Sequence, residues 1–498
     1  MNRLRCVMAI LGLVIAPGLI HSTCPLSAPR LTNNPSLDVI VTTGQPLLSF
    51  FSAPGGTAPR KYIIQIDKVP TFSSKALIEY RDVPEESNLV TSFSVKKKDA
   101  LDDKTRYYWR VRAVDSSGEP GPWGASRFFV DTESDDSFMN LVRIPVKSVE
   151  TSSGSNAKNI VDLDDPGQVS FWQSTPPGEP TQWVIFDLGK RWKVSRIWML
   201  SNPSWADAEV GDGWLKDFVW QASDNLTAWR DINGARVIDN DTFRNILRFD
   251  PVETRYLRLL IRAWHGYAAQ INAVTLYSPG RPPVPEVPDR DYVLIVGNQQ
   301  NGYTFTELAK FVEGLGLDLA TLTVPHYEVS QGMLKNLKRK PVAIVLSGNN
   351  AGYANLPMFE YNGEFEIVRH SDIPILGICC GHQMTALAYG YTNVRAMGWS
   401  DISSVRLKDP TETRIVKEDP IFMGMPNPFT APEVHGWAVV RLPRHYEIIA
   451  ESTYVQCLKS SAKLLYGEQF HAEIAAPYNQ AKPYLVNFLK MALERERE

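Results

Sequence analysis

The sequence predicts a multidomain chain in which two β-sandwiches precede an α/β domain built on a mostly parallel central sheet. Three observations predict it. Up to about residue 278 the apolar residues fall in short alternating runs separated by turn signals, the pattern of strands with one face buried. Residues 279–290 read PGRPPVPEVPDR, a proline-rich linker that stays extended and separates what lies on either side. From Asp291 onward, wholly apolar runs alternate with runs of helical period, as expected of strands buried on both faces and joined by crossover helices. A chain of 498 residues has room for roughly three domains of about 150 residues.

The formal net charge of -3 speaks against a protein that wraps nucleic acid, because phosphate neutralisation needs clustered Lys and Arg. It also supplies no electrostatic attraction to anionic membranes. The first residues differ from the rest. Arg3 and Arg5 form a basic start, Cys6 to Ile20 is almost wholly apolar, and His21-Ser22-Thr23 is polar. That three-part pattern in residues 1–23 is that of a secretory signal peptide and predicts export to a periplasmic, cell-surface or extracellular location. An uncleaved membrane anchor is the alternative, since the run is near the short limit for spanning. Cys24 stands where a bacterial lipoprotein carries its lipid, although His-Ser-Thr is a poor signal for that modification. Of the five cysteines, Cys379, Cys380 and Cys457 remain, too few for a disulfide framework.

Residues 25–132 contain the alternating runs Lys61 to Ile66 and Tyr107 to Val114, punctuated by Pro54-Gly55-Gly56 and Ser116-Ser117-Gly118. This spacing predicts an antiparallel sandwich. The stretch YYWRVRAVDSSGEPGPWGASRFFV resembles the last strands of a fibronectin type III domain, and the resemblance places Tyr107 and Trp109 in the core. No chemistry is visible here, and a spacer or docking role is expected.

Residues 137–278 form a second β-rich block. Within it TQWVIFDLGKRWKVSRIWML, WQASDNLTAW and FDPVETRYLRLLI resemble, in order, three segments of the discoidin (coagulation factor 5/8 type C) family. The resemblance implies a jelly-roll sandwich of galactose-binding-like topology, with Trp183, Asp187, Gly189, Arg255 and Tyr256 in structural roles. Bacterial members often bind glycans through loop aromatics, so Trp205, Trp214, Trp264 and His265 are candidate sugar-stacking residues. The same residues also suit packing at the rim of the sandwich. Asp162, Asp164 and Asp165 offer oxygen ligands to a structural Ca²⁺, or form a solvated acidic loop.

Residues 291–498 form the α/β domain. Buried strands are expected at Tyr292 to Val296, Val342 to Leu346 and Ile373 to Ile378, and an amphipathic helix from Phe305 to Leu315. Active sites of such sheets lie at the carboxyl ends of the strands, which directs attention to the residues after Val296, Leu346 and Ile378.

After the third strand comes Gly377-Ile378-Cys379-Cys380-Gly381-His382-Gln383, a nucleophile elbow. A tight strand-to-helix turn lifts one side chain above the sheet, and glycines on either side relieve the crowding. Cys379 opens a helix, whose dipole favours the thiolate. Far downstream lies Gly467-Glu468-Gln469-Phe470-His471-Ala472-Glu473. An imidazole there can take the thiol proton and return it to a leaving amine. If the segment is extended, Glu473 points to the same side as His471 and holds its ring.

Both motifs resemble the class I glutamine amidotransferases, whose elbow reads G-x-C-x-G-x-Q and whose second motif reads G-x-Q-F-H-x-E. The resemblance implies that Cys379 forms a γ-glutamyl thioester, that His471 is general base and acid, and that Glu473 orients it, with no cofactor. In Ser347-Gly348-Asn349-Asn350 the last two residues replace the family's usual Gly-Pro. The backbone of Gly348 and Asn349, with that of Cys380, would form the oxyanion hole. Gln383, His435, Gly436 and Trp437 are the expected contacts to the substrate glutamine. Cys380 is read as a packing residue, although in an oxidising compartment it can pair with Cys379 and block the site. His326, His370 and His445 carry no motif and are expected at the surface or in packing.

No acceptor domain is visible, since the β modules carry no phosphate-binding loop or synthetase motif. Three functions stay open. One is hydrolysis of glutamine or a γ-glutamyl amide by an exported enzyme tethered through glycan- or surface-binding β modules. Another is the glutaminase component of an amidotransferase with a separate acceptor subunit. The third is an inactive amidotransferase fold used as a carbohydrate- or protein-binding protein.

Overall fold

The computed structural model describes residues 26–497 apart from 32–38, 86–89, 133–140, 164–170, 176–180, 202–212, 300–304, 350–355, 389–410, 440–441, 443–445 and the single positions 42, 54, 104, 131, 241 and 453. The signal-like segment, Cys24, Asp164, Asp165, Trp205, Asn350 and His445 lie outside the described residues. The chain divides into two units, Met1–Asp131 and Thr132–Glu498.

In the first unit, strand Thr105–Val114 alternates in burial. Tyr107, Trp109, Val111 and Ala113 face inward, with Trp109 fully buried. Arg110 and Arg112 face the other way, their guanidinium groups each 4.4 Å from the Trp123 ring centroid. This strand lies within a five-stranded sheet, in the order Val39–Val41, Gly124–Val130, Thr105–Val114, Lys61–Asp67, Ile78–Pro84. A three-stranded sheet of Arg30–Leu31, Leu47–Phe51 and Val90–Ser94 contributes Leu48 and Phe50 to the same core.

The second unit begins with a β-rich module. Two long strands, Gln182–Leu200 and Arg244–Trp264, pair antiparallel over most of their length. Leu215–Ser223 and Arg230–Val237 extend the sheet on one side, and Ala273–Pro279 and Leu141–Arg143 on the other. The Asp187 carboxylate accepts from Arg255 Nε and Nη2, each at 3.2 Å, and from the amide of Gly189 at 2.8 Å. Gly189 has φ +74°, which a glycine adopts without strain. The turn after Asp187 is thereby closed by the residues expected to be structural.

Residues from 281 to 291 are without regular structure and lead into the α/β domain. Its elements are β1 (Tyr292–Gly297), α1 (Thr306–Glu313), β2 (Ala320–Pro325), α2 (Gln331–Asn336), β3 (Ala343–Leu346), α3 (Asn362–His370), β4 (Ile375–Ile378), α4 (Cys380–Leu387), β5 (Thr411–Ile415), β6 (Phe429–Ala431), β7 (Tyr446–Glu451), β8 (Val455–Ser460), β9 (Leu465–Glu468) and α5 (Lys482–Arg497). The sheet order is β2-β1-β3-β4-β9-β8-β7-β5-β6. Neighbours from β2 to β9 are parallel, and those from β9 to β6 antiparallel. The central sheet is therefore mixed rather than mostly parallel. Short connections join β7 to β8 and β8 to β9, and strands joined so closely pair antiparallel. Every residue of β1, β3, β4 and β9 is buried, which is why these strands read as unbroken apolar runs or short Gly-containing ones.

Candidate active site

Cys379 follows β4 and caps α4 with φ 51° and ψ -104°, values a residue other than glycine rarely adopts. The glycines explain how the chain closes around it. A Cβ on Gly377 would lie 2.5 Å from the carbonyl carbon of Gly381, and one on Gly381 would lie 2.2 Å from the Leu346 oxygen. The elbow is tied to both neighbouring strands: the Cys379 amide donates to the Glu468 carbonyl at 2.8 Å, and the Gly381 amide to the Ser347 carbonyl at 3.0 Å. The adjacent Cys380 is buried against Leu356, Tyr361 and Met384, and no disulfide joins it to Cys379.

β9 ends at Glu468, and the chain turns through His471–Ile474 rather than staying extended. The expected strand-like alternation is thus corrected; the turn itself brings Glu473 back, with Oε1 2.8 Å from His471 Nδ1. The turn is held by Asn479, whose Nδ2 donates to the carbonyls of His471, Ala472 and Ile474 at 3.2, 3.1 and 2.8 Å. The His471 amide donates to the Pro432 carbonyl at 2.9 Å, and buried Phe470 anchors the segment against Phe429. Burial lowers the His471 pKa, but the nearby Glu473 carboxylate and Cys379 sulfur outweigh it and leave it well above the ordinary imidazole value; the Cys379 thiol itself donates to the Val434 carbonyl at 3.6 Å.

Gly348, just past β3, faces this pair: a Cβ there would lie 3.4 Å from His471 Cε1 and 3.7 Å from Cys379 Cβ. Asn349 is fixed by its side chain, whose Nδ2 donates to the Asn298 carbonyl at 2.5 Å and to the Tyr361 hydroxyl at 3.0 Å. Asn298 in turn donates from its backbone amide to the Ser347 hydroxyl oxygen (2.9 Å) and from Nδ2 to the Ser347 carbonyl (2.9 Å). Gln383 is buried on α4, with Nε2 2.5 Å from the Trp437 carbonyl and 3.0 Å from Gln469 Oε1. His435 Nδ1 lies 3.0 Å from the same Trp437 carbonyl, and its Nε2 3.1 Å from Glu433. Gln383 and His435 thus position the 435–437 backbone, including Gly436.

Residues 308–491 match the glutamine amidotransferase class-I family, and residues 145–275 match the F5/8 type C domain. A glutamine-hydrolyzing GMP synthase subunit from Methanothermobacter thermautotrophicus is 32% identical over 193 residues, which cover 36% of this chain and 88% of that one. The chain belongs to the class-I glutamine amidotransferase family. The corresponding protein of Methanobrevibacter smithii is 34% identical over 144 residues, covering 27% of this chain; the chain spans 66% of that relative's length, just under two thirds. Among solved structures, the family 32 CBM from C. perfringens NanJ in complex with galactose is similar at 17% identity over 28% of this chain and 99% of that chain, with a TM-score of 0.23.

The amidotransferase domain therefore brings Cys379, His471, Glu473 and Gly348 to one place at the carboxyl ends of β3, β4 and β9. Outside it, Trp214, Trp264 and His265 of the expected sugar-stacking set lie side by side where two strands meet. Trp214 is 6% exposed and belongs to a buried cluster with Trp198, Phe243, Tyr277 and the amidotransferase residue Phe359. His265 meets Trp214 edge to face at 4.5 Å, and Trp264 packs partly buried on the module's core. Tyr267, two residues on from His265 and 75% exposed, escaped the sequence reasoning. Asp162 is exposed, and among the described residues no group of three or more His, Cys, Asp or Glu could hold a metal. Sequence reasoning also missed Asn298, Tyr361 and Asn479, whose polar side chains have no motif around them. It placed His326 in packing or at the surface; it is fully buried, in contact with Glu360.

Proposed function

We propose that this chain is an exported Cys-His-Glu enzyme that hydrolyses glutamine or a γ-glutamyl amide through a thioester on Cys379. Its β modules attach it to a glycan or cell surface. The observation that carries the reading is Cys379 on a strained elbow beside a His471 ring held by Glu473. In the first half-reaction the Cys379 sulfur attacks the amide carbonyl carbon while His471 takes the thiol proton. Amides of the Gly348-Asn349 segment and of Cys380 receive the developing oxyanion, where such donors act on charge present only in the transition state. The C–N bond breaks, His471 returns the proton to nitrogen, and ammonia leaves. Water then attacks the thioester, giving up a proton to His471, and glutamate departs with the thiol restored. Gln383, His435, Gly436 and Trp437 hold the α-substituents of the substrate on this reading, and no cofactor is needed.

Export is supported by the basic, apolar and polar order of residues 1–23. A fibronectin type III-like first module is supported by its two sheets around Trp109, and glycan attachment by the exposed Tyr267 near Trp264 and His265. A glycan array with the full chain and its Tyr267→Ala variant tests the attachment; silence from both removes the tether from the proposal. The second reading, a glutaminase component with a separate acceptor subunit, is favoured because the relatives are named as one subunit of a glutamine-hydrolyzing GMP synthase. Turnover of glutamine in the absence of any partner distinguishes the two: a free-standing hydrolase runs alone, whereas an acceptor-dependent one stays near its background rate. An inactive fold is disfavoured by the free Cys379 thiol and by the tethered Asn349.

A further inference from the structure

The β-rich second module meets the amidotransferase domain at a buried carboxylate. Arg143, in the module's edge strand, makes a two-pronged contact with Glu360: Nε to Oε1 at 2.6 Å and Nη2 to Oε2 at 2.5 Å. Tyr277, its cross-strand partner in the module, donates its hydroxyl to Glu360 Oε1 at 2.6 Å. The Glu360 side chain is wholly buried. On its other side, His326 Nε2 lies 3.3 Å from Glu360 Oε2, and His326 Nδ1 lies 3.1 Å from the Gly297 carbonyl at the end of β1. The His326 ring stacks flat on Tyr361, with centroids 4.1 Å apart and planes 9° apart. The Tyr361 hydroxyl donates to the Asn298 carbonyl at 2.9 Å and receives Asn349 Nδ2 at 3.0 Å. Asn349 follows Gly348, which borders Cys379 and His471.

From this chain of contacts we propose that Arg143 is a positioning residue for the Gly348-Asn349 segment that would form the oxyanion hole, so that the second module is a working part of the glutaminase and not only a tether. The proposal rests on the hydrolase reading above. Physically, Arg143 and Tyr277 hold the Glu360 carboxylate; the carboxylate holds the His326 ring; the ring fixes the plane of Tyr361; and Tyr361 shares with Asn298 the task of orienting Asn349. A fork-shaped guanidinium is suited to this because it fixes direction as well as charge. The Arg143 guanidinium also lies over the Tyr327 ring, 3.6 Å from its centroid, which fixes the fork from a second direction. Burial pushes the Glu360 carboxyl up, but Arg143 and His326 outweigh it and bring it down to about 2. The carboxylate is therefore charged throughout the pH range in which the enzyme would work.

The test uses the full chain with Arg143→Lys, Arg143→Met, the paired Arg143→Met/Glu360→Gln variant, and Trp214→Phe as a packing control in the same interface cluster. The paired variant removes both charges and guards against unfolding by an unpaired buried carboxylate. Glutamine hydrolysis, alkylation of Cys379 by iodoacetamide and hydrogen exchange at residues 346–349 are measured for each. The proposal expects kcat to fall at least tenfold in Arg143→Met and in the paired variant, with KM changed less than threefold. Alkylation, which uses no oxyanion hole, stays within twofold of the parent. Arg143→Lys recovers part of the loss, and Trp214→Phe lowers stability while keeping kcat. Exchange at 346–349 speeds at least tenfold in the Arg143→Met proteins. Unchanged kcat and unchanged exchange in a folded paired variant overturn the proposal. If the parent itself does not hydrolyse glutamine, the hydrolase reading fails, and the exchange measurement still decides whether Arg143 orders the Gly348-Asn349 segment.

Discussion

Glu473 Oε1 receives His471 Nδ1 at 2.8 Å across a two-residue turn, and the same imidazole lies beside Cys379 at Gly348, where a Cβ would be 3.4 Å from His471 Cε1 and 3.7 Å from Cys379 Cβ. Glu473→Gln keeps the shape and removes the charge. The expected outcome is a fall in kcat of about 10²- to 10⁴-fold, the range for a mispositioned general base. The stability effect has a definite sign. His471 is raised in the folded protein, so its protonation stabilises the fold fully below the unfolded value of about 6.5 and ceases to do so as pH rises through the folded value. The gap in urea midpoint between parent and Glu473→Gln is therefore largest near about pH 5.5 and narrows toward alkaline pH.

Cys379 occupies φ 51° at a functional site, where strain of about 1 to 3 kcal/mol is tolerated. Cys379→Gly relieves it. After the loss of a small buried side chain, the net expectation is a gain of about 1 kcal/mol in stability with no detectable hydrolysis. Thermal unfolding beside Cys379→Ala, which keeps the strained geometry, checks this: the glycine variant melts higher than the alanine variant.

Asn479 holds three carbonyls of the His471–Ile474 turn. Asn479→Ala leaves them to find water, and costs about 1 to 3 kcal/mol with a drop in kcat of about tenfold or more, since near-attack geometry is sensitive to small displacements. Unaltered steady-state kinetics in a folded Asn479→Ala protein would show that the turn holds without it.

Glu364 on α3 is fully buried, 3.5 Å from Asn298 Nδ2, and burial raises its carboxyl to about 8. Its folded form keeps the proton over a range where the unfolded form has lost it. Stability accordingly declines as pH rises from the ordinary carboxyl value of 4.5 to about 8. Glu364→Gln removes this slope and gains stability relative to the parent at pH above about 8. Parallel stability curves for the two proteins across that window would contradict the assignment.

What could be read from the sequence follows from how local each signal is. The elbow around Cys379 is seven consecutive residues with glycines at the crowded points, so its backbone demand is written into the segment. The strands β1, β3 and β4 are buried on both faces and therefore appear as apolar runs. The antiparallel half of the sheet was less legible, because β5 and β6 are short and carry Thr, Glu and Arg. Trp214 looked like a loop aromatic able to stack on a sugar. It lies in a buried cluster that includes Phe359, far along the chain, and no local pattern announces that cluster. The Arg143–Glu360 pair spans 217 positions, and Asn479 acts on backbone carbonyls that any residue could present. Polar side chains whose partners are distant or are main-chain atoms leave no periodic trace.

Hydrolysis by Cys379 is tested most directly by incubating the full chain with glutamine and with γ-glutamyl peptides, measuring released glutamate and ammonia, and determining the intact mass after exposure to a γ-electrophilic glutamine analogue. Release of both products in equal amounts, abolished in Cys379→Ala, together with one adduct located on Cys379, is the predicted result. A folded protein with a free Cys379 thiol that releases neither product and takes no adduct would contradict the account.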